Sequence, residues 1–193
     1  MTVRVVFVSP ATSSSLRQAR FDDGASIDPA GAALARAAAG SLPAAARVLV
    51  SPGVRCVETA AALGLDALET AELAGLEVGR WRGLTLAEVG AAEPEAVARW
   101  LGDPASAPHG GESVRDLCAR VAGWLETAAD GEGRVLAVVE PEVVRAAVVH
   151  VLGTPATAFW RLDVPPLTAT SVSGRGGRWN LRLGLPLDRA EAA

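Results

Sequence analysis

All 18 basic side chains are arginines, and the chain has neither lysine nor tyrosine. A Schiff base or a lysine general base is therefore excluded. Proton transfer and nucleophilic attack fall to carboxylates, hydroxyls, two thiols and two imidazoles. His150 lies among Val148, Val149, Val151 and Leu152 and reads as a helix-packing residue. His109 lies in a Pro/Gly loop, Asp103 to Gly111. Cys56 and Cys118 are too few for a disulfide scaffold and fall in helical patterns, as small buried hydrophobes do. Two thiols and two distant histidines make no zinc site, so neither metal nor cofactor is expected.

Composition narrows the partners. A formal net charge of -4 argues against nucleic acid or an anionic membrane surface as the main partner. Half of the residues are hydrophobic, enough for a packed core. The first residues run straight into a strand pattern without the features of a signal peptide, and no apolar run reaches membrane-spanning length, so a cytoplasmic location is expected. The expected organisation is one domain over 1–186 with a short tail, 187–193. A homodimer is the default assembly.

The elements that must position any chemistry alternate. Val3 to Val8, Arg47 to Val50 and Val135 to Val139 are short apolar runs that read as buried strands. Helices follow: Asp28-Pro29 opens one that ends near Gly40, Val54 to Leu63 is the second, Ser113 caps a long third, and Val143 to Leu152 is closed by Gly153. Leu84 to Gly90 and Pro94 to Leu101 read as short helices, and residues 11 to 26 as a Ser-rich loop. Leu68 to Leu73 is a short strand candidate. Phe159 to Val164, Thr168 to Ser173 and Arg178 to Leu183 are strand candidates in the tail. This order predicts an α/β three-layer sandwich, a mainly parallel sheet with helices on both faces. Ligand sites of such sheets lie beyond the carboxyl ends of the strands. The segments there are Ser9 to Ser15, Ser51 to Arg55 and Glu140 to Glu142.

Those segments, with others, resemble the histidine phosphatase superfamily and its phosphoglycerate mutase-like fold. Ser51-Pro52-Gly53-Val54-Arg55-Cys56-Val57-Glu58-Thr59-Ala60 is similar to the family's Ser-Pro-x-x-Arg-x-x-x-Thr-Ala segment. Gly79-Arg80-Trp81-Arg82-Gly83-Leu84-Thr85, Gly110-Gly111-Glu112-Ser113 and Phe159 to Val164 resemble three further family segments in order. The resemblance implies that the family's nucleophilic histidine, within Arg-His-Gly, falls in Ser9-Pro10-Ala11. The family's acid falls on or near Gly75, its second histidine on Glu140, and a phosphate-binding asparagine on Leu16. Arg55 is the retained phosphate-site arginine. Arg145 matches a family position and reads as structural, and Arg20-Phe21 resembles a family pair in a loop read as solvated.

Pro10 has no nucleophile, and the Ser9 and Thr12 to Ser15 hydroxyls would need a base. Glu140 facing a lone Arg55 is about neutral, and at about 4 Å a carboxylate opposes phosphate by several kcal/mol in a partly buried site. Glu140 is therefore expected to pair with Arg55. No side chain is assigned as catalytic; Arg55, Glu140, Glu112, Ser13 and His109 are the ligand-binding candidates. Trp81, Trp100, Trp124, Trp160 and Trp179 read as core anchors. The leading expectation is a catalytically degenerate pseudo-phosphatase that binds a small molecule or a protein. The alternative is a retooled non-phosphatase enzyme using Glu140 as acid or base with Arg55. A residual phosphatase or mutase using His109 ranks last.

Overall fold

The computed structural model describes residues 3–129, 133–175 and 178–187. One sheet of six strands organises the chain: β1 (Val3–Val8), β2 (Arg47–Val50), β3 (Leu68–Glu69), β4 (Arg134–Val138), β5 (Thr168–Arg175) and β6 (Arg178–Pro186). Their order is β3-β2-β4-β1-β5-β6. The first four are parallel, and β5 and β6 run antiparallel at one edge. The helices are α1 (Ser14–Arg17), α2 (Pro29–Ala37), α3 (Val54–Ala62), α4 (Leu86–Ala92), α5 (Pro94–Gly102), α6 (Val114–Ala129) and α7 (Pro141–Leu152).

The two-residue period of the strands builds the layers. Val5 and Phe7 of β1, with Val135 and Ala137 of β4, face α6 and α7 in one core. Val6 and Val8, with Leu136 and Val138, face α2 and α3 in the other. The expected α/β sandwich is thus the observed one. A third, aromatic cluster of Trp81, Val89, Ala96 and Trp100 lies under α4 and α5. Of the expected tail, residues 188–193 lie outside the described residues.

Register brings the site segments together. Val138 of β4 is paired with Val8 of β1 on one side and Val50 of β2 on the other. Ser9-Pro10, Ser51 and Glu140 therefore leave the sheet from one row at its carboxyl edge.

Three local expectations are corrected. Phe159 to Val164 is not a strand: Ala156–Arg161 forms a 3₁₀ helix, which lets Phe159 be fully buried while Trp160 packs on Trp100 at 4.3 Å between ring centroids. A strand would send these neighbours to opposite faces. Only Leu68–Glu69 of the 68–73 candidate pairs with β2, and a 3₁₀ turn over Ala71–Leu73 follows. The first loop is also ordered by hydrogen bonds. Ser13 caps α1 through the Leu16 N–H, and the Phe21 N–H and Leu86 N–H bond across to Leu84 and Ala19 carbonyls.

Two motif glycines are explained by backbone contact. A Cβ at Gly111 would stand 2.0 Å from the Glu77 carbonyl oxygen, and one at Gly79 would stand 2.3 Å from the His109 carbonyl oxygen, at a left-handed φ of 48°. The 77–79 and 109–111 segments touch because neither carries a side chain there. Gly111→Ala should accordingly cost about 1–3 kcal/mol or more, as overpacking against backbone does. Urea unfolding of the variant against the parent protein checks this, and an unchanged midpoint would refute the contact.

Candidate functional site

Two buried charges meet where β2 and β4 end. Arg55 is in the first turn of α3, and Glu140 is the residue before α7. Their side chains are 11% and 9% exposed and form an ion pair from an Arg55 guanidinium nitrogen to Glu140 Oε2. The expected pairing is therefore present. The Cys56 thiol is directed at Glu140 Oε1, at 3.3 Å, and donates to it. Burial pushes the Glu140 carboxyl up, against the pull of Arg55, and nearby Glu142 adds to the rise. Burial holds the Cys56 thiol well above its usual range, reinforced by the Glu140 charge, so it remains protonated. Arg55 loses solvation, but the Glu140 and Glu142 charges hold it above its ordinary value.

Two glycines leave room for this carboxylate. A Cβ at Gly53 would lie 3.2 Å from Glu140 Oε1, and one at Gly75 would lie 3.1 Å from Glu140 Cγ. Arg120 holds the segment that carries Gly75. It donates to the carbonyls of Glu72 at 2.7 Å, Ala74 at 3.0 Å and Gly75 at 3.4 Å, while its other contacts form a two-point pair with Glu112 at 2.9 and 2.7 Å. Thr59 ties the first loop to α3, accepting the Ala11 N–H at 3.0 Å and donating to the Arg55 carbonyl at 2.7 Å.

A cavity of about 640 Å³ opens over Glu140. Gly53, Gly75, Glu140 and Glu142 form its floor; Phe21, Trp100 and Trp160 wall it; Arg20, Arg82 and Arg145 supply cations. A second cleft of about 430 Å³ shares Glu142 and Arg145 with it and contains Pro10, Pro141 and Pro165.

The sequence-derived candidates thus divide. Arg55, Glu140 and Gly75 come together; Glu140 and Gly75 line the larger cavity, Arg55 pairs with Glu140 without lining it, and Pro10 lies in the neighbouring cleft. Ser9 is fully buried and braces β5, accepting the Thr168 N–H at 3.0 Å. Ser13 is a helix cap, with its hydroxyl oxygen 3.2 Å from the Leu16 nitrogen. Glu112 is committed to Arg120. His109 is buried edge-on to Trp81, at 5.0 Å between centroids, and its Nδ1 accepts the Gly111 N–H at 3.0 Å. Burial, with Arg80 beside it, lowers its pKa and keeps it neutral. Its Nε2 and the Trp100 Nε1 are buried without partners among the described residues.

Several cavity residues escaped the sequence reading. Arg82 gave no signal. Arg145 read as structural, and it does donate to the Leu162 carbonyl at 2.8 Å and lie over the Phe159 and Trp160 rings, yet it also lines both openings. Arg20 holds the Gly83 carbonyl and lines the cavity, where a solvated loop residue was expected. Phe21, Trp100 and Trp160 are packed anchors and cavity wall at once.

With this geometry in hand, the chain can be placed. It belongs to the histidine phosphatase superfamily (branch 1), which matches residues 13–184. Among solved structures it is similar to a mycobacterial glucosyl-3-phosphoglycerate phosphatase in complex with VO3, at 26% identity and a TM-score of 0.82 over 95% of this chain and 98% of that one. It is similar in fold to a phosphoserine phosphatase mutant from Entamoeba histolytica in complex with phosphoserine, at 14% identity and a TM-score of 0.84 over 96% and 98% of the two chains. A bifunctional protein of Mycobacterium tuberculosis is 41% identical over 80 residues, 39% of this chain and 22% of that one. The chain spans about a fifth of the length of the curated relatives it matches.

These findings overturn the expectation of a degenerate binding protein: the family is that of the histidine phosphatases, and the mycobacterial structure matched at 26% identity is a phosphatase. The physical reason lies in the cavity. From the sequence, Arg55 is the one clear phosphate-site cation and Glu140 is expected to pair with it. In the structure Glu140 lines an open cavity together with Arg20, Arg82 and Arg145, and Arg55 pairs with it from outside that lining.

Breaking the pair by one partner should be far more harmful than removing both. Arg55→Met leaves a buried carboxylate uncompensated and should cost about 3–5 kcal/mol, whereas Arg55→Met with Glu140→Met should recover most of that loss. Denaturant unfolding of the two variants against the parent protein checks it; a double variant that loses as much stability as Arg55→Met, or more, would overturn the coupling.

Proposed function

We propose that this chain is a hydrolase of phosphate monoesters that works by direct attack of water, with Glu140 as general base. In this reading Pro10 and Glu140 occupy the positions where the family carries its two catalytic histidines, and no phosphohistidine forms. The observation that carries it is Glu140 itself, a buried carboxylate with a raised pKa on the floor of an open cavity lined by arginines. The family membership and the likeness to a phosphatase described with VO3 support the substrate class. Free thiols at Cys56 and Cys118 suit a reducing, cytoplasmic location.

The water oxygen attacks phosphorus opposite the ester oxygen while one water proton passes to the Glu140 carboxylate. The phosphorus–ester bond breaks, its electron pair goes to the leaving oxygen, that oxygen takes a proton from solvent, and Glu140 returns its own proton to solvent afterwards. The cations that face the charge developing on phosphate are those of the lining, Arg20, Arg82 and Arg145.

Glu140→Gln should lower kcat about 10²–10⁴-fold against a panel of monoesters, as loss of a general base does. The base must be ionised, so kcat should rise with pH through the raised pKa of Glu140 and lose that rise in the Gln variant. Quenching the reaction with radiolabelled substrate should trap no phosphoprotein. Turnover that survives Glu140→Gln, or a labelled protein, would defeat the mechanism.

A further inference from the structure

The cavity is uneven in its chemistry. Its wall is aromatic: the Trp100 and Trp160 ring centroids are 4.3 Å apart and Phe21 stands 5.6 Å from Trp100. Leu76, Val78 and the half-exposed Leu101 extend that surface. Planar rings packed edge and face in this way suit another flat apolar group.

The lining carries fewer cations than acids, so a second anion finds no free arginine. Arg20, Arg82 and Arg145 share the cavity with Asp22, Glu77, Glu140 and Glu142. Arg82 lies 4.0 Å from Asp22. Arg20 is bonded to the Gly83 carbonyl and the Gln18 side chain, and Arg145 to the Leu162 carbonyl. One phosphoryl group can recruit these cations. A carboxylate or a further phosphate elsewhere on the substrate would meet Asp22 or Glu77 with no arginine left over.

We infer that the alcohol part of the substrate is flat and apolar, an aryl or comparable planar group, and bears no second anionic group. This rests on the proposed hydrolysis of monoesters at the same cavity. The aromatic wall selects the leaving group, and the acids of the lining reject a doubly anionic ester.

The test uses two non-hydrolysable phosphonates and the intact protein. Naphthylmethylphosphonate should bind at least about tenfold tighter than 3-phosphonopropionate, the scale on which an apolar pocket discriminates. Titration calorimetry reads the two affinities, with quenching of tryptophan fluorescence as a second signal. Leu101→Asp, a substitution at a half-exposed wall position, should weaken the aryl phosphonate about tenfold without changing the melting temperature. Equal binding of the two phosphonates, tighter binding of the carboxylated one, or no binding of either would overturn the inference. Tight aryl phosphonate binding by a protein that hydrolyses no ester would uphold it while defeating the hydrolase reading. Comparable kcat/KM values for aryl and carboxylated esters would do the reverse.

Discussion

The ion pair between Arg55 and Glu140 is the constraint around which this end of the molecule is arranged. Taking both charges out of water costs several kcal/mol per ion, and only close pairing with further hydrogen bonds offsets it. The fold meets that demand from three directions. The ends of β2 and β4, where Val50 pairs with Val138, bring the two backbones together. Cys56, on the next position of α3, directs its thiol at the second carboxylate oxygen. Gly53 and Gly75 keep clear the space that the carboxylate and its stem occupy.

From that pair the support extends outward. Gly75 is close to Glu140 because Arg120 grips three carbonyls of its segment, and Arg120 is held there by Glu112. The 77–79 segment beyond it packs backbone to backbone on 109–111, so the loop over the site is fixed at both ends. His109 belongs to this framework: it supports the turn at Gly111 and fills the space beside Trp81. The outcome is a rigid polar floor under an aromatic wall. A buried carboxylate there keeps a raised pKa because its surroundings cannot relax to solvate it.

The main lines of this arrangement were legible in the chain. The nearly continuous apolar runs Val3 to Val8 and Val135 to Val139 give strands buried on both faces, and Asp28-Pro29 gives a helix start whose cap is seen at 2.7 Å from Asp28 Oδ1 to the Gly31 nitrogen. The meeting of Arg55 with Glu140 followed from opposite charge at neighbouring strand ends. The 3₁₀ segment at Ala156–Arg161 was not legible, because Phe159 and Trp160 carry strand-like side chains, and burial of Phe159 with packing of Trp160 on Trp100, not local propensity, decides the backbone. The role of Glu112 was open for a similar reason: its partner is eight positions away on α6, and a glutamate before a helix looks the same whether it meets an arginine or a ligand.

What the sequence by itself determined is therefore the layering of the fold, the edge at which the site lies and the identity of its central charges. These depend on local period and on residue type, which any stretch of chain displays. Whether those charges close a pocket or floor one was decided only in three dimensions. Arg20, Arg82 and Arg145, with Phe21, Trp100 and Trp160, come from separate parts of the chain and meet only because α4, α5 and the first loop fold over the sheet edge. The volume left between them depends on how those pieces pack, and no spacing along the chain encodes it.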